Sequence, residues 1–207
     1  MISGGSPSAR RVRVVLLLYG AGLAASVAGA AGPEDAGKWG IERLMHDLAQ
    51  VKSSRGTFVE RKHLGILDTP LQVSGTLVYV APDRLEKHTA APRAESLVLE
   101  RDQLTLENRE RNQRRTLALQ DHPAARAYVE SIRATLAGDL PALTRYYEVA
   151  LEGGSRDWRL ALRPREPAMQ EVVREIRISG ERASIRGIEI LETNGDRSVM
   201  TVKREAP

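Results

Sequence analysis

The chain has 207 residues, no cysteine, and 31 Lys+Arg against 27 Asp+Glu, a formal net charge of +4. Without cysteine there are no disulfides, no thiol catalysis and no Cys-based metal site. Three of the arginines lie in the first 30 residues with no acid beside them. The remainder therefore holds 28 basic against 27 acidic side chains and makes no electrostatic case for nucleic acid.

In chain order, Arg10, Arg11 and Arg13 precede an apolar run from Val14 to Val27, and Ala28-Gly29-Ala30 offers an A-x-A cleavage site. Residues 1–30 are expected to be a signal peptide cleaved near Ala30, and residues 31–207 a single domain exported to the periplasm. The apolar run is shorter than the roughly 20 residues that cross a bilayer. Arg10-Arg11 lacks the residues that follow in a twin-arginine signal, so general secretion is expected, and no cysteine follows to carry a lipid anchor.

Ile41, Leu44, Met45, Leu48 and Val51 recur at helical spacing and predict one amphipathic helix. Ser53, Ser54 and Gly56 end it and open a strand from Thr57 to Leu64. After Asp68-Thr69-Pro70 comes a second strand with Leu71, Val73, Leu77 and Tyr79 on one face and Val78 and Val80 on the other. Short strands are expected at Leu85 to Thr89, Glu95 to Glu100 and Leu104 to Asn108, and a further one holds Leu117 and Leu119. Pro123 then opens a helix with Ala125, Tyr128, Val129, Ile132 and Leu136 at helical spacing, stopped by Gly138. Leu140 and Leu143 form a short apolar turn around Pro141. Strands resume with Tyr147, Val149 and Leu151, a Gly153-Gly154 turn, then Trp158, Leu160 and Leu162. Pro164 and Pro167 break the pattern. Glu171 to Ile178, Ala183 to Leu191 and Arg197 to Lys203 finish the chain, the last pair joined across Asn194-Gly195.

So many strands with an apolar face, and so few helices to cover it, require a sheet that curls into a barrel or part of one. Alternation alone does not distinguish the wall of a cavity from a filled interior.

The helix, the strand Gly56-Thr57-Phe58-Val59-Glu60, the strand Ser74-Gly75-Thr76-Leu77-Val78-Tyr79, the turn Ala81-Pro82-Asp83-Arg84-Leu85, and Pro92 with Ser96-Leu97-Val98-Leu99 share an order. In that order the chain resembles the LolA-like periplasmic lipoprotein carriers, whose pattern is a helix, an F-x-Q strand, an S-G-x-L strand, an R-P turn and a following hairpin. The resemblance implies a mainly β (α+β) fold, an unclosed antiparallel β half-barrel of about ten strands with an N-terminal helix and a helical lid. It implies a carrier of acyl chains, from a lipoprotein or another lipid, working between an inner-membrane donor and an outer-membrane acceptor protein, as a monomer with no cofactor. Strand parity and the resemblance together nominate as cavity residues Phe58, Leu77, Tyr79, Leu97, Leu99, Leu104, Leu117, Leu119, Tyr147, Val149, Trp158, Leu160, Ile176 and Ile178. Tyr128 and Ile132 are the lid candidates. Two departures stand out. The arginine that latches the lid in the family is replaced by Ala81, with Arg84 as a candidate substitute, and one Phe, two Trp and five Tyr make a wall poor in aromatics.

The sequence carries no recognisable catalytic constellation. His46, His63, His88 and His122 are scattered, Ser74 lacks a nucleophile-elbow frame, and Gly153-Gly154 lacks the lysine and helix of a phosphate loop. Glu60 with Asp68 or Glu86 is explained by charges on an exposed strand face. An enzyme is therefore not expected, and one acting on acylated substrates is the less favoured alternative. A binding or sensor module recognising a partner protein is the other. Arg109, Arg111, Arg114 and Arg115 suit an acidic partner, anionic head groups or a solvated hairpin tip.

Overall fold

The computed structural model describes residues 39–205. The expected leader, residues 1–30, and the start of the exported domain lie outside that range. Helix α1, Ile41–Ala49, turns Leu44, Met45 and Leu48 inward. Six strands follow as a meander: β1 Ser53–His63, β2 Leu71–Val80, β3 Arg84–Ala91, β4 Glu95–Glu100, β5 Gln103–Asn108 and β6 Gln113–Ala118. A 3-10 turn, Leu119–Asp121, leads into α2, Pro123–Ala137, and α3, Leu140–Tyr146. The chain ends with β7 Tyr147–Gly154, β8 Asp157–Pro164, the short α4 Pro167–Gln170, β9 Val173–Glu181, β10 Ser184–Glu192 and β11 Arg197–Arg204.

All eleven strands form one antiparallel sheet in the order β6-β5-β4-β3-β2-β1-β11-β10-β9-β8-β7. The first and last strands pair at its centre, with Phe58 opposite Val202. β6 and β7, consecutive in sequence, are the two free edges, so the sheet is unclosed. The segment between them must cross from one edge to the other, and it does so as α2 and α3 over the concave face. Topology alone thus sets helices across the mouth.

The expected unclosed sheet of about ten strands is present, with eleven. Several local expectations need correction. The turn around Pro141 is helix α3, capped by the Asp139 carboxylate, which accepts from the Ala142 amide at 2.9 Å. Leu119 belongs to the 3-10 turn and not to β6. Gly153 and Gly154 end β7 as paired residues opposite Trp158 and Asp157, which leaves Ser155-Arg156 as the turn. The break at Pro167 is a single helical turn.

Gly138 does more than stop α2. Its φ of 67° is left-handed, and a Cβ there would run into the Met45 carbonyl of α1, so glycine both ends the helix and lets α1 approach. The main core lies between α1, α2, α3 and strands β7 to β9: Leu44, Leu48, Leu143, Tyr147, Trp158, Leu160, Leu162, Ile176 and Ile178 are all fully buried. Its largest members are tied by polar ends, the Tyr147 hydroxyl donating to the Ala127 carbonyl at 2.7 Å and the Trp158 indole to the Arg182 carbonyl at 2.8 Å.

Candidate functional site

The strand parity expected from the sequence is correct. Directly opposed residues share a face, and the pairings Phe58–Gly75, Leu77–Lys87, Leu85–Leu99, Leu99–Leu104 and Leu160–Ile178 put the nominated strand residues on the concave side. What lies above them differs along the sheet. Over β7 to β9 the helices pack down and the interior is solid. Under α2, between β2–β5 and β10–β11, the sheet arches away and leaves a hollow of about 340 Å³.

Of the nominated cavity residues, Leu77, Tyr79, Leu97, Leu99 and Leu104 line this hollow, and both lid candidates, Tyr128 and Ile132, cover it. The others do not line it. Tyr147, Trp158, Leu160, Ile176 and Ile178 are fully buried in the main core, with Val149 packed against it. The reason is α3 and α1, which fill that half of the concave face with Leu143, Leu44 and Leu48. Leu117 and Leu119 join Leu99, Leu104 and Val129 in a smaller cluster that pins α2 to the β4–β6 side. Phe58 is 2% exposed, and the Lys87 ammonium stands 4.9 Å from its ring centre.

Sequence reasoning missed the opposite wall: Ile185, Ile188 and Ile190 of β10, Met200 and Val202 of β11, and Leu48 and Val51 at the end of α1. Nothing in the sequence indicates that β10 and β11 sit beside β1, because that contact depends on pairing the chain's two ends. Helix α2 has two working faces. Ala127, Ser131 and Ala134 are buried toward the core, their small size allowing close approach, while Ala125, Tyr128, Val129, Ile132 and Leu136 turn to the hollow.

One polar cluster breaks the apolar lining. Glu60, read from sequence as an exposed charge, is 4% exposed on the concave face. Its carboxylate accepts from Lys87 Nζ at 2.6 Å and from Ser198 Oγ at 2.5 Å, with Lys62 Nζ at 3.7 Å. Burial raises its pKa, but the Lys87 charge, the hydrogen bonds from Lys87 and Ser198, and Lys62 together outweigh burial and hold it below the ordinary carboxylate value. The alternation Phe58, Glu60 was a usable signal, since residues two apart share a face. Asp68 lies in the exposed β1–β2 loop and Glu86 on the convex side, so the imagined carboxylate pairs do not form.

Tyr128 lines the hollow and retains 39% exposure. Burial, with the Glu60 and Glu192 charges, pushes its phenol up to about 12, so it stays a neutral donor. Tyr79 has a buried hydroxyl with no partner among the described residues. Arg84 does not latch the lid: it pairs with Glu86 at 2.8 Å and Glu100 at 3.0 Å, whereas its neighbour Leu85 takes the concave side. Helix α2 carries Arg126 and Arg133, and Arg133 is held by Glu130 at 2.7 Å and acted on by the Asp83 and Asp102 charges.

Among the described residues, no group of His, Asp and Glu is placed to hold a metal ion, and no helix is long and apolar enough to cross a membrane. The chain is thus an unclosed β half-barrel with an apolar hollow beneath a helix. Residues 30–204 match the family described as outer membrane lipoprotein carrier protein LolA-like, and the chain belongs to that family. No curated protein matches its sequence. Among solved structures, it is similar to a LolA superfamily protein from Nitrosomonas europaea at 9% identity, covering 79% of this chain and 93% of that one, with a TM-score of 0.42. It also resembles a chain of the Pseudomonas aeruginosa MucA/MucB complex at 17% identity, covering 80% of this chain but only 57% of that one, with a TM-score of 0.43. LprF from Mycobacterium bovis is similar at 11% identity, covering 83% of this chain and 96% of that one, with a TM-score of 0.36.

Proposed function

We propose that this protein is a periplasmic, monomeric, non-enzymatic carrier that takes one acyl chain of a lipoprotein or other lipid into the hollow beneath α2. It then passes the chain from an inner-membrane donor toward an outer-membrane acceptor. The observation that carries the reading is the hollow: about 340 Å³ walled by Leu, Ile, Val and Met side chains from both halves of the sheet and roofed by one helix. A pocket of roughly 300 Å³ or more is ligand-sized, and apolar voids of about half this volume already take up small hydrocarbons. Export is supported by the arginine-led apolar leader with its Ala28-Gly29-Ala30 site.

Transfer in this reading is passive. The hollow relieves an acyl chain of contact with water, and an acceptor that buries the chain better draws it onward. The test is extraction of the purified full chain into organic solvent followed by mass spectrometry. Acylated molecules should be released from the native protein. Ile188→Glu, which puts a charge on the wall supplied by β10, should release none while retaining the native circular dichroism spectrum. Repeated recovery of lipid-free protein that also takes up no fluorescent fatty acid would refute the proposal.

A further inference from the structure

The concave face changes character row by row, and the register shows where. Across β2 to β6 the row nearest the lid reads Tyr79, Leu85, Leu99, Leu104 and Leu117. The next inward row reads Leu77, Lys87, Leu97, Leu106 and Arg115. The row beyond reads Gly75, Thr89, Glu95, Asn108 and Gln113. Apolar thus gives way to mixed, then to polar, within three rows.

Thr89, Glu95, Asn108 and Gln113 of that third row line an open basin of about 800 Å³ at the end of the sheet away from the lid, and Lys87 and Leu97 line both the basin and the hollow. Five cations, Lys62, Lys87, Arg93, Arg111 and Arg115, line the basin against two carboxylates, Glu95 and Glu107. Lys87 and Lys62 share Glu60, at 2.6 and 3.7 Å, and Glu95 accepts from Asn108 Nδ2 at 3.0 Å. Among the described residues no carboxylate forms an ion pair with Arg93, Arg111 or Arg115. Three arginines without an ion pair therefore remain in the basin, which shares Lys87 and Leu97 with the hollow.

We propose that the basin receives an anionic head group, phosphate or carboxylate, of the same amphiphile whose acyl chain fills the hollow, with the molecule crossing over the Lys87–Leu97 row. This rests on the carrier reading and adds the ligand's polar half. Arg111 and Arg115 supply forked donors suited to a phosphate. The Glu60–Lys87 pair at the crossing keeps the apolar side closed to the head group, since any second anion there would meet the Glu60 charge.

The experiment measures displacement of N-phenyl-1-naphthylamine from the full chain by two amphiphiles with the same tail, lauroyl lysophosphatidate and monolaurin. The charged one should displace the probe at about tenfold lower concentration, the combined effect of two or three partly exposed ion pairs. That advantage should shrink from roughly 0.05 to 0.5 M salt. It should vanish in Arg111→Glu/Arg115→Glu, whose exposed positions do not threaten folding, while monolaurin displacement stays unchanged. Inorganic phosphate alone should displace nothing. Equal displacement by both amphiphiles, or an advantage that survives the double variant, would overturn the head-group site and leave the carrier reading standing. Failure of both to displace the probe would overturn the two together. An acidic peptide that blocks the basin while lysophosphatidate gains nothing over monolaurin would also overturn it, in favour of a protein partner.

Discussion

The length of the acyl chain is the sharpest handle on the hollow. At roughly 30 Å³ per methylene, close to the share of a water molecule, 340 Å³ holds about eleven methylenes. Each buried CH₂ contributes about 0.8 kcal/mol, close to a fourfold gain in affinity per carbon, or about 9 kcal/mol in all before ordering costs. Monoacylglycerols from about six to about sixteen carbons should therefore bind progressively more tightly, then level off near the length that fills the space. Displacement of a fluorescent acyl probe, with each competitor kept below its critical micelle concentration, reads this directly. Ile188→Trp, which adds bulk to the wall, should move the plateau to a shorter chain. A length dependence with no break, or a plateau that Ile188→Trp leaves in place, would refute the assignment of the tail to this space.

Leu160, fully buried in the main core, should cost about 2–5 kcal/mol when changed to Ala, whereas Leu97→Ala, at the edge of the hollow with fewer partners to lose, should cost less than half as much; urea unfolding measures both. Glu60 has a lowered pKa in the folded state, so its contribution is complete above the unfolded value of about 4.3 and is lost as pH falls through the folded value. Glu60→Gln should therefore be less stable than wild type at pH 7 by about 1–3 kcal/mol, a gap that closes on acidification below about pH 4. Gly138→Ala meets both a left-handed φ and the Met45 carbonyl, and should lower stability by at least about 2 kcal/mol in thermal denaturation. Tyr79→Phe removes a buried hydroxyl that has no partner among the described residues, and should be neutral or stabilising by up to about 1 kcal/mol in the same assay.

Alternation and punctuation in the sequence were enough for the strands, for both main helices and for which side of each strand faces inward, because those follow from local periodicity and from residues such as Pro123 and Gly138. The same rule applied to Phe58 and Glu60 puts the carboxylate on the concave face, where strand parity is a better guide to burial than charge. Helix α3 escaped because Leu140 to Tyr146 is too short to show a period and its cap, Asp139, needs three-dimensional context. Which inward residues wall a hollow and which fill a core was not written in any segment. Leu99 and Leu160 look alike in sequence, and they differ only because α1 and α3 descend on one half of the sheet while α2 bridges the other. That division follows from pairing β1 with β11, which leaves β6 and β7 as opposite edges and obliges the chain between them to cross the mouth. Side-chain periodicity is a local property of the backbone, whereas empty space is set by elements far apart in the chain, and only the folded arrangement decides it.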